Sequence, residues 1–375
     1  MKIALVHELL TMRGGAERVA KILADLYPEA PIYTLLYNEK KLGDWFPRER
    51  VRTSTLQPRF PLSAFRFPLN HHIHLSRFPS AVEQWNFNEY DVVISTSSAF
   101  THNIITNGKP KHLSYINAPA RYLWDRTFDV QKHARHGLFG PLKQRYLQKT
   151  FHKLRAWDAE CAGRADKLIA ASNDVQRRIE LYWRRESDVI YPPIDDFWLK
   201  KVESGKRKAE RYFLIVSTLV PYKQIDIAID ACNKINAPLK IVGEGPDRKR
   251  LEQRTNHASQ ITFLGYQEQE SLKELYTNAS ALLFPGIEDF GIAPLEAMAC
   301  GTPVISFRAG GPLETIVEGK TGLFFDEQTP QSLADVLQIF NASAFDAELC
   351  KAQAQQFSRE KFEIQMKQAV SNLML

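Results

Sequence analysis

Two glutamates on either side of a glycine loop are the residues of this sequence best suited to chemistry. Glu288 and Glu296 lie eight positions apart, with Gly291 between them and Pro294 just before the second glutamate. Carboxylates accept hydrogen bonds from hydroxyl groups, and a glycine lets the backbone approach a ligand closely. A helix beginning near Pro294 would add backbone N–H groups suited to a phosphate. The alternative is that Glu296 only complements the helix dipole and Glu288 is a solvated loop acid.

A strand and a helix must flank this loop if it is to hold a ligand. Ala281–Phe284 is a short apolar run typical of a buried strand, and residues 294–300 form a helical segment that stops at Gly301. Open α/β sheets bind their ligands outside the carboxyl ends of the strands. We therefore place the two glutamates at the carboxyl edge of a parallel sheet.

Short apolar strands alternate with helices in both halves of the chain. The first series opens with an apolar run at residues 2–10 that has a polar interruption, followed by Gly14, Gly15 and helical spacing. The second series opens at residue 212, after a polar stretch. This alternation predicts an α/β protein with parallel sheets in two Rossmann-like domains.

Capping residues mark the start of two of the predicted helices. Ser172 precedes a helix that extends to about Trp183, and its hydroxyl suits the first turn. Thr329 precedes Pro330, a residue that favours the first helical position. Both helices are therefore expected to begin directly after these hydroxyl residues.

Length and composition are typical of a soluble protein with two domains. The chain has 375 residues, of which 44% are hydrophobic and 25% charged. No apolar stretch reaches the roughly 18 uncharged residues of a membrane helix, and the N-terminus reads as a strand rather than a signal peptide. The four cysteines lie far apart, so we expect neither a disulfide framework nor a zinc site. We expect instead a protein of the reducing cytoplasm.

Positive charge is concentrated in the first half of the chain. Residues 1–195 hold 29 Lys and Arg against 20 Asp and Glu, whereas the remainder holds 20 against 23. Basic and aromatic residues cluster at 59–77 and again at 143–155. They suit an anionic membrane surface or a lipid-linked partner, and no nucleic-acid-binding module is recognisable. Plain solvation explains a surplus of this size equally well.

Several enzyme classes lack their usual residues here. The three histidines His71, His72 and His74 have no acidic companions, so we assign no metal to them. The segment from Gly243 to Gly245 lacks the third glycine of a dinucleotide-binding loop. We also find no nucleophile elbow of a serine hydrolase.

The string from residue 288 to residue 304, E-D-F-G-I-A-P-L-E-A-M-A-C-G-T-P-V, resembles the E-x7-E segment of retaining GT-B glycosyltransferases of family 4. Almost the entire chain can be laid on the family pattern, and residues 212–325 are its most diagnostic part. Further matching stretches stand in the expected order: 216–223, 243–246, 263–265, 310–314, 318–322 and 357–362.

The resemblance implies a GT-B architecture, with two Rossmann-like domains facing across a cleft. It assigns residues 1–194 to an N-terminal, acceptor-side domain and residues 195–357 to a domain that binds the nucleotide sugar. The C-terminal helix, residues 358–375, is expected to cross back onto the N-terminal domain. Closure of the two domains over the substrates would then be part of the reaction cycle.

The resemblance also implies a role for each matching residue. Glu288 would contact the hydroxyls of the donor sugar, Glu296 the ribose, and Lys223 the diphosphate, whose charge grows as it leaves. Further donor contacts fall on backbone or flanking positions: Gly14, Gly15, Gly243, Leu264, Phe290, Gly291 and Ile292.

Two positions depart from the family pattern. Thr218 stands where the family usually has an arginine for the diphosphate, and Arg308 or a lysine from the other domain could replace that charge. Asn117 stands where a histidine near the donor sugar is usual, so an amide would take that catalytic position without carrying a proton charge. After it, Arg121 and Trp124 would line the acceptor side, although a packed turn is the alternative explanation for this segment.

The implied reaction is the transfer of a hexose with retention of its anomeric configuration. Likeness to bacterial mannosyltransferases favours mannose from GDP-mannose, and a UDP-sugar donor is the alternative. The acceptor would be a glycan or a lipid-linked acceptor of polysaccharide or lipopolysaccharide biosynthesis, with no nucleic acid as partner. The absence of an Asp-x-Asp pair favours a reaction without metal or other cofactor.

The cysteine pattern and the basic and aromatic stretches lead us to expect the enzyme in the cytoplasm or peripherally at the inner face of the membrane. A sugar-nucleotide-binding subunit with little turnover remains the alternative, because Thr218 and Asn117 stand where the family has stronger partners. Donor hydrolysis or transfer would separate the two.

Overall fold

All the strand pairs in the described part of the chain are parallel, and they form two separate sheets. The structure is a computed structural model that describes residues 1–57, 75–134, 140–200, 212–255 and 260–375. The chain divides into one unit of Met1–Tyr191 with Glu363–Leu375 and a second unit of Pro192–Phe362. Each unit carries one of the two sheets.

The first unit alternates strands and helices from its start. Its strands are β1 Ile3–Leu10, β2 Ile32–Tyr37, β3 Val51–Thr53, β4 Val92–Ser97, β5 Lys111–Ile116, β6 Lys167–Ala170 and β7 Asp188–Val189. Its helices are α1 Gly15–Leu26, α2 Glu39–Leu42, α3 Phe78–Val82, α4 Thr127–Ala134, α5 Gly140–Cys161 and α6 Asn173–Trp183. The strand order is β3-β2-β1-β4-β5-β6-β7.

The second unit repeats the alternation with a smaller sheet. Its strands are β8 Phe213–Val216, β9 Leu239–Val242, β10 Ile261–Gly265, β11 Ala281–Phe284, β12 Val304–Phe307 and β13 Gly322–Phe325. Its helices are α7 Asp196–Leu199, α8 Ile225–Ile235, α9 Arg248–Glu252, α10 Gln269–Asn278, α11 Ile292–Ala299, α12 Pro312–Thr315, α13 Pro330–Ile339 and α14 Ala347–Gln355. The strand order is β10-β9-β8-β11-β12-β13.

The last helix, α15 Arg359–Met374, belongs to both units. Its first residues lie in the second unit, and Glu363–Leu375 pack with the first unit. The side chains of Phe362 and Met366 are buried, which holds the helix in place. The C-terminal helix therefore returns to the N-terminal unit, as the resemblance implies.

Each sheet is buried by helices on its faces, which explains why most of its strands are apolar. In the second unit, Ile215 of β8, Leu283 of β11 and Ile305 of β12 pack with α8 and α13 in one buried cluster. In the first unit, Val6 of β1 and Val93 of β4 share a buried cluster with residues of α3 and α5. These apolar layers fix the carboxyl edges of the strands, where the loops of interest begin.

Both predicted capping residues are confirmed. The Ser172 hydroxyl accepts a hydrogen bond from the Val175 N–H at 3.1 Å, at the start of α6. The Thr329 hydroxyl accepts one from the Ser332 N–H at 3.2 Å, and Pro330 is the first residue of α13. Each hydroxyl satisfies an N–H group that has no partner within the helix.

The predicted start of α11 was wrong by two residues. The helix begins at Ile292 rather than Pro294, because Gly291 adopts a positive φ of 87° and turns the chain into the helix early. Glu296 is therefore the fifth residue of α11 and lies beyond its first turn. Complementing the helix dipole, which acts within the first turn, does not explain this glutamate.

Within the described ranges, we find no helix that is long and apolar enough to span a membrane.

Candidate functional site

An ion pair between Lys223 and Glu288 lies at the carboxyl edge of the second sheet. Lys223 ends the 3-10 turn Pro221–Lys223 between β8 and α8, and Glu288 lies in the loop between β11 and α11. Because β8 and β11 are neighbours in the sheet, their following loops meet, and the Lys223 Nζ contacts Glu288 Oε1. The side chains are only 19% and 16% exposed. The structure therefore brings together two of the three predicted catalytic residues.

Backbone contacts at glycines hold both ends of this pair. A Cβ atom at Gly286 would lie 3.0 Å from the Lys223 Cα, so the β11 loop packs directly on the lysine backbone. The Gly311 N–H donates to the Glu288 carbonyl at 2.9 Å. Gly310 has a φ of 69°, and a Cβ there would lie 2.4 Å from the same carbonyl oxygen. Larger residues would push the Glu288 loop away, so these glycines fix where the two charges meet.

A small pocket lies beside the ion pair. It has a volume of about 230 Å³, counting the space open to solvent, and its lining includes Ser217, Lys223, Phe284, Gly286 and Glu288. The Glu288 Oε1 is buried and makes no aligned hydrogen bond with the described residues, so the lysine charge is its compensation. A buried carboxylate oxygen in this state can accept a hydroxyl donor from a ligand.

The N-terminus of α11 offers a second group of contacts next to Glu288. The N–H groups of Ile292 and Ala293 open the helix and donate to no oxygen of the described residues. Such groups, with the helix dipole behind them, favour an anion. The Phe290 side chain is buried against Phe357, with ring centroids 5.6 Å apart, so only its backbone can face a ligand.

Glu296 is anchored from a neighbouring helix. Its side chain is 5% exposed, and its Oε2 accepts a hydrogen bond from the Tyr276 hydroxyl of α10 at 3.0 Å. The ring of Tyr276 packs in turn against Trp198 of α7, with centroids 5.6 Å apart. The two glutamates of the motif therefore differ in environment, since Glu288 faces the pocket and Glu296 is packed between helices.

Gly243 and Leu264 lie at the ends of β9 and β10. Gly243 has a φ of 125°, and a Cβ there would lie 1.9 Å from the Ser217 carbonyl oxygen. Gly245 approaches the Leu219 backbone in the same way, with a Cβ distance of 2.2 Å to the carbonyl oxygen. The two glycines thus let the β9 loop pack on the β8 loop that leads to Lys223. The predicted contact of Gly243 and Leu264 with a base stays a prediction.

Arg308, which we considered as a replacement for the missing arginine at Thr218, already holds two carboxylates. Its guanidinium donates to Glu318 at 2.6 and 2.8 Å and to Asp326 at 2.5 Å. These hydrogen bonds raise the pKa of Arg308 above its ordinary value. The charge of Arg308 is therefore offset within the second unit. Among the described residues of this unit, Lys223 is the cation that pairs with Glu288.

The predicted residues of the first unit follow two of its strands, β1 and β5. Gly14 caps α1 and Gly15 is its first residue, shortly after β1. Asn117 follows β5, and its N–H and side-chain amide donate to the Ser97 carbonyl at the end of β4, at 2.8 and 3.4 Å. Their contacts with a donor remain predictions.

Trp124 is held by buried groups of the same unit. Its indole N–H donates to Asp158 Oδ2 at 2.9 Å, and its ring stacks on Tyr182 with centroids 4.7 Å apart. Arg121, three residues earlier, is half-buried. The segment therefore has the contacts of a packed turn, and the acceptor-side role of Arg121 and Trp124 stays a prediction.

Sequence reasoning missed a polar network inside the first unit. The carboxylate of Asp158 is fully buried and also accepts from the Trp183 indole N–H at 2.9 Å, while His102 Nε2 lies 3.2 Å from its Oδ1. Glu8 of β1, which is 7% exposed, accepts the backbone N–H groups of residues 98–101. The polar interruption in the first apolar run was the available signal for Glu8.

Two predictions concern residues outside the described ranges. Residues 58–74, with most of the basic and aromatic stretch 59–77 and the three histidines His71, His72 and His74, are not described. Residues 143–155 are described and lie on α5. Among the described residues, no group of three or more His, Cys, Asp or Glu side chains is placed to hold a metal ion.

Comparison with known proteins finds a family model that matches part of the chain. Residues 196–357 match the family model described as glycosyl transferases group 1, and this range contains Lys223, Glu288 and Glu296. An uncharacterized glycosyltransferase of Methanocaldococcus jannaschii is 29% identical over 181 residues, which is 47% of this chain and 50% of that protein. The D-inositol 3-phosphate glycosyltransferase of Mycobacteroides abscessus is 27% identical over 190 residues, 46% of this chain and 41% of that protein. The chain thus spans half or less of the curated relatives that it matches.

Solved structures match along the whole chain. HepE of Anabaena in complex with UDP superposes with a TM-score of 0.73 at 19% identity and covers 99% of this chain and 100% of its own. Sucrose-phosphate synthase of Thermosynechococcus elongatus gives a TM-score of 0.69 at 17% identity, covering 99% of each chain. The predicted GT-B fold with two Rossmann-like domains is therefore confirmed, and its second unit carries the group 1 glycosyltransferase match.

Proposed function

We propose that this protein is a glycosyltransferase that moves a hexose from a sugar nucleotide to a glycan or lipid-linked acceptor. The observation that carries the proposal is the Lys223–Glu288 pair beside the open N-terminus of α11. A cation and backbone N–H groups suit a diphosphate, and a pocket-facing carboxylate suits sugar hydroxyls. The group 1 match over residues 196–357 supports the same function for this unit.

Each group of the site has a part in the proposed reaction. The diphosphate gains charge as its bond to the sugar breaks, and the Lys223 ammonium with the α11 N–H groups would stabilise that charge. Glu288 would orient the sugar by accepting its hydroxyls, and Glu296 would bind the ribose. We assign the reaction to the retaining class of family 4, in which the leaving diphosphate serves as base and no metal is needed.

The donor is the finer part of the proposal. Likeness to bacterial mannosyltransferases favours GDP-mannose, whereas HepE, which shares the fold, was crystallised with UDP, with UDP-glucose, and with UDP and glucose. The Lys223–Glu288 pair would contact the diphosphate and the sugar, which both donors share, so it would not select the base. We keep GDP-mannose as the first candidate and a UDP-sugar as the second.

A sugar-nucleotide-binding subunit with little turnover is the second candidate function. It is favoured by Thr218 and Asn117, which replace a cation and a titratable group, and by the engagement of Arg308 with Glu318 and Asp326. Donor binding without hydrolysis or transfer to any of the offered acceptors would support this candidate over the transferase.

A peripheral membrane contact through α5 is also proposed, as a second feature of the transferase. Lys143, Arg145 and Lys149 are exposed on this helix beside Leu142 and Tyr146, which are 68% and 50% exposed. Basic and apolar side chains on one surface suit the anionic head groups around a lipid-linked acceptor. This contact would place the enzyme at the inner face of the membrane.

A thermal-shift screen with GDP- and UDP-sugars tests the donor site, because a ligand that binds only the folded state raises the melting temperature. We expect one of these donors to raise it, and Glu288→Ala and Lys223→Ala to reduce both the shift and the rate of transfer. Glu348→Ala is the matched control, since this glutamate is 78% exposed and pairs with Lys351, neither of which has a role in the proposed site. No shift with any donor, or full transfer by both site variants, would refute the proposal.

A further inference from the structure

The two charges of the site are paired with each other. The backbone of Lys223 is packed against Gly286, and the Glu288 carbonyl is bound by the Gly311 N–H, so neither loop needs to move to form the pair. The lysine that should meet the diphosphate is therefore already bound to the carboxylate that should meet the sugar. A donor and its nucleoside diphosphate product both have to share or take this lysine.

The burial of the pair makes that exchange costly. Lys223 and Glu288 expose 19% and 16% of their side chains, and Glu288 Oε1 has no aligned hydrogen bond among the described residues. When the partner of a buried charge is withdrawn, the charge that remains is poorly compensated. A phosphate that takes Lys223 also places a second anion close to the carboxylate, and the repulsion is only partly screened.

A complete donor and a bare nucleoside diphosphate differ in how they meet this cost. The sugar of the donor brings hydroxyl groups that can donate to Glu288 while its diphosphate takes the lysine. The bare diphosphate brings no such donor, and water replaces it only in part because Oε1 is buried. The carboxylate should therefore penalise the product more than the donor.

We propose that Glu288, through its ion pair with Lys223, makes the site discriminate against the bare nucleoside diphosphate and so speeds product release. This inference rests on the proposed donor site and adds a specificity role to it. It predicts that the charge of Glu288 lowers affinity for the product, whereas a residue that only bound the donor sugar would leave that affinity unchanged.

Calorimetric titration of Glu288→Gln with UDP and GDP, and with UDP-glucose and GDP-mannose, tests the inference. We expect the variant to bind the nucleoside diphosphate about tenfold tighter than the parent, which corresponds to about 1.4 kcal/mol. Affinity of the variant for the complete donor should stay equal or fall. The affinity for the donor divided by the affinity for the nucleoside diphosphate should therefore fall about tenfold or more. An unchanged or weaker affinity of the variant for the diphosphate would overturn the inference, as would an equal gain for donor and diphosphate.

Two further variants separate charge from shape. Glu288→Asp keeps the charge and should keep the discrimination, while Glu288→Ala removes the charge and should tighten diphosphate binding even if Glu288→Gln does not fold. Glu348→Gln, the same charge change on a glutamate that is 78% exposed and pairs with Lys351, should leave both affinities unchanged. If the parent binds the diphosphate and neither Glu288→Gln nor Glu288→Ala binds it more tightly, this inference is rejected while the proposed donor site stands. Failure of the parent to bind any nucleotide rejects the proposed donor site as well.

Discussion

Replacing Asp158 by asparagine tests whether the polar network of the first unit is a main support of its fold. The carboxylate is fully buried and receives the indole N–H groups of Trp124 and Trp183, both at 2.9 Å. His102 lies on its other oxygen, at 3.2 Å, and the Asn103 amide donates to that oxygen at 3.4 Å. Asparagine has nearly the same shape as aspartate, but its NH2 group replaces one of the two accepting oxygens. Either the two indole N–H groups or the His102 and Asn103 side chains then face a donor instead of an acceptor.

The expected loss follows from the burial of these groups. Removing one partner from a buried, charge-assisted cluster costs about 3–5 kcal/mol, because the remaining groups stay desolvated. For a unit of about 200 residues, each kcal/mol lowers the melting temperature by roughly 2–4 °C, so the variant should melt about 6–20 °C below the parent.

Urea denaturation followed by tryptophan fluorescence measures this loss. Five of the six tryptophans lie in the first unit, namely Trp45, Trp85, Trp124, Trp157 and Trp183, so the signal reports on it. Asp188→Asn is the control, because Asp188 is 64% exposed in its ion pair with Lys167 and should matter by no more than about 0.5 kcal/mol. If Asp158→Asn loses less than about 1 kcal/mol, the network is not the support we describe.

Two further predictions concern pH and membranes. Burial, with a smaller effect of the His102 charge, lowers the pKa of His112 to about 3. Below pH 6.5 the unfolded chain protonates His112, whereas the folded protein keeps it neutral until about pH 3. The unfolded state is therefore favoured by acid, and His112 costs the folded state no stability above pH 6.5. Between pH 6.5 and pH 3, the free energy of unfolding from denaturation curves should fall by up to roughly 1.4 kcal/mol per pH unit because of this histidine. If the free energy of unfolding of His112→Gln falls equally steeply, His112 is not the cause. The combined variant Lys143→Gln, Arg145→Gln, Lys149→Gln should bind anionic phosphatidylserine vesicles at least tenfold more weakly in sedimentation, at about 1 kcal/mol per removed charge; unchanged binding would exclude α5 as the contact.

The strand-loop-helix element around Glu288 could be predicted because its signals are local. An apolar run, a loop with glycine and a proline-containing helix lie within residues 281–300. The start of α11 was misplaced because Pro294 suggested a first helical position, whereas the positive φ of Gly291 starts the helix at Ile292. A single glycine gives no sequence signal for the sign of its φ, so this offset could not be predicted from the sequence.

The ion pair and the polar network could not be predicted from spacing. Lys223 and Glu288 are 65 residues apart, and Glu8 binds backbone N–H groups that lie 90 to 93 residues further along the chain. Their meeting depends on which strands are neighbours, here β8 beside β11 and β1 beside β4. The resemblance supplied the roles of Lys223 and Glu288, but nothing in it indicated that the two side chains would neutralise each other.

The glycine contacts around the ion pair imply an uneven tolerance to mutation across the site. The positions of Lys223 and Glu288 depend on backbone packing at Gly286, Gly310 and Gly311, where a Cβ atom would lie only 3.0, 2.4 and 2.2 Å from main-chain atoms. The side chain of Ser217, in contrast, lines the pocket without holding either charge in place. A directed-evolution library aimed at new donors should therefore keep the glycines fixed and vary such lining residues, where altered pocket shape leaves the charged framework intact.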